Sequence, residues 1–375
     1  MHDCPVCLAD DATVFEVRDR VPVLQNVIVK SQDDAARFPT GAIEMRACKC
    51  CGFVWNAAFD PAIIDYGADY DNSVQASGVY LKHQADMAER VMAHAAELDY
   101  LEIGCGAGEF LEVLDKTGRL HSAVGFDPAF KGQRRFGEHI TIHREYFTLE
   151  TSVKVPANIT VVGSRHTIEH IPNPRDFIRD IAKFVQDRNV RLFLETPDVD
   201  WIFKNVAFED FFYEHCSIFT HGTMRRLLGE FGLAADVSPV YKDQYMWVEA
   251  TAGRPTSTAF DGTLPNQYME QSRDALAYWR GAVAAMRKVG PVAVWGAASK
   301  GVTFALLIDG IDCAIDLNPT KQSCFMPVSA TPIVSPEAAQ ARGVASIIVM
   351  NPNYEAEIRA KVQAMDWGAE VRSIR

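Results

Sequence analysis

The stretch "LDYLEIGCGAGEFLEVLDKTG", residues 98–118, runs from an apolar segment through Gly104, Gly106 and Gly108 into apolar residues at helical spacing. That is the pattern of strand, glycine turn and helix. Glycine at such a turn lets the backbone approach a ligand where a Cβ would clash. "AVGFDPAF" (123–130) reads as the next strand and ends in Asp127. A carboxylate roughly twenty residues beyond the glycines can accept both hydroxyls of a ribose. Glu102 precedes the glycines, and "GCGAG" lacks the longer G-x-G-x-x-G turn of a pyrophosphate site. A ligand with a ribose but no pyrophosphate therefore fits better than a dinucleotide. "NITVVGSRHTIEHIPNPRDFIRDI" (158–181) continues with a buried strand, a loop and a helix. These pieces make an α/β core, expected over 96–250.

Downstream, "TAGRPTSTAFDGTLPNQ" (251–267) is rich in Thr, Gly and Pro and marks a boundary. Residues 251–285 are read as linker and helix, and 286–375 as a second, smaller doubly wound α/β domain. It opens with "PVAVWGAASKGVTFALLID" (291–309), again strand, turn and helix. The "GAASKG" turn suits two readings. One is a phosphate cradle with Ser299 and Lys300 on the substrate; the other is tight strand-to-helix packing alone.

Upstream, Cys4 and Cys7 form one C-x-x-C, and Cys48 and Cys51 form a second inside "CKCCGFVW". Two such knuckles supply four thiolates to a tetrahedral Zn²⁺ and leave no open position for a substrate, so the metal is expected to be structural. It would fold a small domain over 1–58 with little core of its own. Residues 59–95 are read as a connecting helical segment.

Among 375 residues, 37 Lys and Arg against 49 Asp and Glu give a net charge of −12. That balance argues against a general nucleic-acid binder. No basic start followed by an apolar stretch opens the chain, and no apolar run is long enough for a bilayer. Nine cysteines without an export signal point to reduced thiols and a cytoplasmic location. The composition is silent on oligomeric state.

The series E-I-G-C-G-x-G, F-D and T-I-E-H-I-P-N-P resembles the class I S-adenosylmethionine-dependent methyltransferases. The resemblance implies S-adenosylmethionine as cofactor, Gly104 and Gly106 at its methionine end and Asp127 on its ribose. Glu102, Cys105, Gly108, Pro128 and His166 complete the expected cofactor-binding group. With the four-cysteine head and the tail motifs "WGAASKG" and "DLNPTKQ", nearly the whole chain resembles the nucleotide-sugar C-methyltransferases that make branched deoxysugars. That family usually methylates carbon 3 of a TDP-linked 4-keto-6-deoxy sugar, with the zinc head and β/α tail enclosing the sugar nucleotide.

Such chemistry needs a base near an acidic C–H and donors for the oxyanion that forms. "FFYEHCSIFTHG" (211–222) and "TIEHIP" (167–172) supply the residues. The family's histidine falls on His170, its E-H pair on Glu214 and His215, and an upstream tyrosine on Tyr70, with Tyr66 close by. His215 is read as general base because histidine titrates near neutral pH beside a carboxylate. Glu214 is read as its orienting group, and His170 as oxyanion stabiliser or proton relay. Where the family has a tyrosine, this chain has Phe212, and Tyr213 is the nearest hydroxyl. "KDQYMWVEA" (242–250) departs from the family's glycine-rich strand near the sugar. His83 and His221 read as structural, and Cys216 as a small buried thiol. Two rivals stand beside this reading: a methyltransferase for an oxygen, nitrogen or non-sugar carbon, and a non-catalytic zinc- and nucleotide-binding protein.

Overall fold

A computed structural model describes residues 3–64, 77–132, 136–255 and 257–375. At the front, β1 (Ala12–Pro22) pairs antiparallel with β2 (Thr40–Cys48), and β2 with β3 (Val54–Asn56). The connection carries a five-residue helix, α1 (Gln32–Ala36), capped by the Ser31 side chain on the Asp34 amide.

The central sheet begins with β4 (Leu98–Ile103), β5 (Leu120–Phe126), β6 (Ile140–His143), β7 (Val161–Arg165) and β8 (Arg191–Pro197). All five run parallel, and such strands must be covered on both faces. The two-residue β9 (Ser217–Ile218) leaves this sheet and adds to β3, giving the front sheet the order β1-β2-β3-β9. The chain then returns as β10 (Leu233–Val240) and β11 (Tyr245–Ala252), an antiparallel pair whose second strand lies antiparallel to β8. The finished order is β10-β11-β8-β7-β4-β5-β6.

Helices α2 (Gly78–Met92) and α3 (Glu109–Asp115) cover one face, packing Met87, Val91, Phe110 and Leu114 on Tyr100, Phe193 and Trp247. The opposite face takes α4 (Pro174–Arg188), then, after the short α5 (Val199–Lys204), α6 (His221–Glu230). α4 shows how the sequence sets its own limits. Asn173 caps the Asp176 amide, Pro174 fits the first turn, and Asn189 ends the helix in the left-handed region. Its buried Ile178, Ile181 and Val185 recur at the spacing of one helix face.

The 23-residue α7 (Leu264–Met286) leads to the last domain. There β12 (Val292–Trp295), β13 (Cys313–Ile315), β14 (Ile333–Val334), β15 (Ser346–Val349) and β16 (Glu370–Ser373) form a parallel sheet in the order β14-β13-β12-β15-β16. α8 (Ser299–Leu307), α9 (Pro336–Ala341) and α10 (Glu355–Ala364) alternate with the strands. The sequence expectation of two doubly wound α/β units behind a small cysteine-bearing sheet agrees with this architecture.

Both parallel sheets reverse direction of growth beside their first strand, at β4/β7 and at β12/β15, where doubly wound sheets open a ligand crevice. The units are not separate bodies. Front-sheet residues Phe15 and Ile43 share one core with α5, α7 and the last sheet. No described helix is long and apolar enough to cross a membrane.

Candidate active site

The first crevice is built by the glycine turn. Gly104 and Gly106 both have positive φ, 75° and 55°. A Cβ on Gly104 would fall 2.1 Å from the Thr167 hydroxyl, whereas one on Gly106 would meet nothing within 4 Å. The first position thus packs against the loop after β7, and the second opens to the crevice. Asp127, following β5, accepts from the Gly106 and Ala129 amides, each at 2.8 Å. Its carboxylate therefore stands at the mouth of the turn.

Glu102, the penultimate residue of β4, is 3% exposed, with Oε2 lacking a hydrogen-bond partner. Burial raises its pKa to about 8, opposed by the Arg165 charge. An orphaned carboxylate oxygen beside the glycine turn fits the amino group of a methionine moiety. Of the remaining cofactor candidates, Cys105 is buried under Gly125, and Gly108 caps α3 against Phe136 and Ile142. The Pro128 carbonyl accepts from Arg144 at 3.5 Å. His166 lies at φ 50°, donates its amide to the Glu195 carbonyl, and carries a buried ring Nε2 without a partner.

The acid/base candidates converge nearby. The His170 and His215 rings are 4.8 Å apart and edge-on, and the Phe212 ring lies tilted 4.2 Å from His215. A Glu169 oxygen and one nitrogen from each histidine all lie within 4.8 Å of one another, a spacing that metal ligands also adopt. Glu214 accepts the Gln25 amide at 2.9 Å and lies 3.9 Å from His170 Nδ1. Burial, aided by the charge of neighbouring His170, holds His215 well below the usual imidazole range. Burial alone would raise Glu169, but the hydrogen bond from His166 and the charge of His170 bring it down to about 2.

All parts of the chain grip the segment that carries His215. Arg18 of β1 donates to the Phe208 and Phe211 carbonyls at 2.6 and 2.9 Å. From the last domain, Lys300 pairs with Asp210, and the terminal Arg375 pairs with Glu209 at 2.5 Å. Both cations also sit 5.1 Å from the Trp201 ring. Ser299 accepts from the Asn26 amide nitrogen at 3.3 Å.

Comparison with known proteins places this geometry. Residues 80–237 match the methyltransferase domain, and residues 266–372 match the C-methyltransferase C-terminal domain. The chain thus carries a methyltransferase domain followed by a C-methyltransferase C-terminal domain. It is similar to C-methyltransferase NovU of Streptomyces niveus, 23% identical over 242 residues that cover 62% of this chain and 56% of that one. The match thus spans little more than half of that relative. Solved structures it resembles include N,N-8-amino-8-demethyl-D-riboflavin dimethyltransferase (RosA) of Streptomyces davawensis, at 15% identity, TM-score 0.39, covering 46% of this chain and 55% of that chain. An O-methyltransferase family protein of Burkholderia thailandensis is similar at 14% identity and TM-score 0.37, covering 47% and 57%.

Other expected site residues lie apart from the histidine pair. The Tyr213 hydroxyl accepts the Asp60 amide at 2.7 Å and donates to the Asp60 carbonyl at 3.2 Å, and its ring fills the space over Gly41. The structure does not bring it to His215. Tyr70, with Tyr66, lies outside the described residues. At the far end, Cys4–Cys51 and Cys7–Cys48 sulfurs are 3.6 and 3.4 Å apart, and all four are within 4.8 Å of one another. Cys50 is exposed and outside this group. Thiols that close share their protons: Cys48 is pulled low by Cys4 and Cys51, which are themselves pushed up. A dication would settle that competition by binding all four as thiolates.

Sequence reasoning passed over a buried layer at the strand ends. Glu195, fully buried, pairs with Arg165 at 2.8 Å and with His83 at 2.5 Å, and Arg165 covers the Phe110 ring at 4.0 Å. The signal was a charged residue closing the apolar run of "RLFLETP" (191–197), at the edge where doubly wound sheets bind ligands.

For the cofactor crevice, Asp127→Asn should weaken S-adenosylmethionine binding about ten- to a hundredfold, the loss of a charged hydrogen-bond partner. It retains an acceptor for one backbone amide, so the unfolding midpoint should hold. Calorimetric titration showing unchanged affinity would remove Asp127 from the ribose.

Proposed function

We propose that the protein is an S-adenosylmethionine-dependent C-methyltransferase acting on a carbon next to a carbonyl, with a nucleotide-linked 4-keto deoxysugar as acceptor and carbon 3 as the methylated position. The observation that carries the reading is the convergence of two half-buried histidines, His170 on the turn after β7 and His215 on a segment held by the C-terminal domain. His215, kept neutral by burial, removes the proton from the acceptor carbon. The electron pair moves into the carbonyl, and His170 donates to the oxygen as its charge grows. When bound, S-adenosylmethionine would supply the electrophilic methyl group for the carbon that His215 has deprotonated. Glu214 holds His170 from the far side, anchored by the Gln25 amide.

The nucleotide half of the acceptor is assigned to the second crevice. Asp316 follows β13 and accepts the Ala297 amide at 3.0 Å, the counterpart of Asp127 and Gly106 in the first. Ser299 and Lys300 stand at that turn, so a phosphate there would share the Lys300 ammonium with Asp210. The four cysteines are assigned a structural Zn²⁺.

Phe212 favours a second reading, the same scaffold with a different acceptor. Its ring covers His215 where the resembled sugar enzymes have a hydroxyl, and Tyr213 is committed to Asp60.

The test is to incubate the enzyme in D₂O with a TDP-linked 4-keto-6-deoxysugar. The reading expects deuterium at carbon 3 without cofactor and a new carbon–methyl bond with it. Methyl transfer to oxygen or nitrogen, with no carbon exchange, would sink it.

A further inference from the structure

Two Glu-His dipeptides meet in this site, Glu169-His170 on a turn after β7 and Glu214-His215 before β9. The sequence suggests that Glu214 serves its own neighbour, His215. The geometry differs. Glu214 faces His170 at 3.9 Å and lies outside the group within 4.8 Å that unites Glu169, His170 and His215. Glu169 is 1% exposed, its Oε2 accepts the Thr196 hydroxyl at 3.0 Å, and its Oε1 is 3.6 Å from His166 Nδ1. One buried carboxylate is thus ringed by three histidines.

We propose that Glu169 is the counter-charge of the acid/base site, a positioning residue that orients the histidines and stabilises the imidazolium formed when His215 takes the acceptor proton. This rests on the proposed carbon deprotonation. A proton arriving on a half-buried imidazole creates a poorly solvated cation, and a fixed anion nearby offsets that cost. The assignment agrees with Glu169 being held ionised while its charge opposes the desolvation of His215. Around Glu169 the titratable neighbours are His166, His170, His215 and Cys216. Lys300 of α8 acts on His215 from the C-terminal domain, and Glu214 faces His170.

The test uses the full-length, metal-loaded protein and the variants Glu169→Gln and Glu169→Asp. Histidine ring proton titrations by NMR, with signals assigned through single His→Asn variants, require no acceptor. Glu169→Gln is expected to lower the titration midpoint of His215 by about 0.5 pH unit or more. In methyl transfer it should lower kcat about a hundredfold with KM near wild type, and Glu169→Asp should recover part of kcat. Unshifted histidines with full kcat would overturn the proposal. So would a kcat loss that Glu169→Asp does not relieve while the titrations stay put, since that marks a packing role. Absence of carbon exchange in the wild type would defeat the proposed function, yet the titrations would still decide whether Glu169 charges the histidines.

Discussion

Replacing His215 by Asn should lower turnover by about 10²- to 10⁴-fold, the span expected for loss of a general base. S-adenosylmethionine affinity should stay within about twofold, because the cofactor turn at Gly104 and Gly106 does not include this side chain. Deuterium exchange at the acceptor carbon should vanish with turnover, since both need the same proton transfer. Full activity in the variant would remove His215 as base, and lost activity with lost cofactor binding would mark it as structural instead.

The pH dependence carries the same signature. A base whose folded pKa lies below the ordinary imidazole value remains unprotonated further into acid, so the acid limb of kcat/KM should sit below about pH 6.5. Stability runs the other way. With the folded pKa depressed, the unfolded chain binds the extra proton first, and stability falls as pH drops through the unfolded value. The ionised Glu169 and Glu195 add to that loss at lower pH, both being depressed in the folded state.

The glycine turn, the strand ending in Asp127 and the paired cysteine knuckles were legible because each is written in contiguous residues with fixed spacing. The Glu214-His215 dipeptide was legible as chemistry, but its pairing was not. Tyr213 and Glu214 lie in a turn closed by the His215 amide on the Phe212 carbonyl, so Glu214 reaches Gln25 and His170 while His215 turns to Phe212 and Glu169. Tyr213 shows the same limit. Its hydroxyl finds the backbone of Asp60, 153 residues away, a contact no local pattern encodes. Lys300 read as a free counter-charge in "GAASKG", whereas packing of two domains places Asp210 against it. The addition of β9 to the front sheet was equally hidden, because two residues of strand carry no period.

That addition would make a metal on the four cysteines consequential for chemistry it never touches. β9 begins two residues after His215 and pairs with β3, and β3 pairs with β2, which ends at Cys48. The Thr223 hydroxyl of α6 donates to the Cys51 carbonyl at 2.7 Å, and Phe53 packs 5.0 Å from Phe219. A sheet this small would draw much of its order from a metal on the four cysteines, whose binding can supply on the order of 10 kcal/mol in structural thiolate sites. Purified protein should therefore contain about one zinc per chain by elemental analysis. Removal by a strong chelator should lower the unfolding midpoint and abolish methyl transfer together, as the strand beside Glu214 and His215 loses its partner. Cys48→Ser should reproduce both losses. Cys50→Ser should leave zinc content and activity intact, because Cys50 is exposed and outside the sulfur cluster. Metal-free protein with an unchanged midpoint and full activity would show that the four sulfurs hold the sheet as thiols alone.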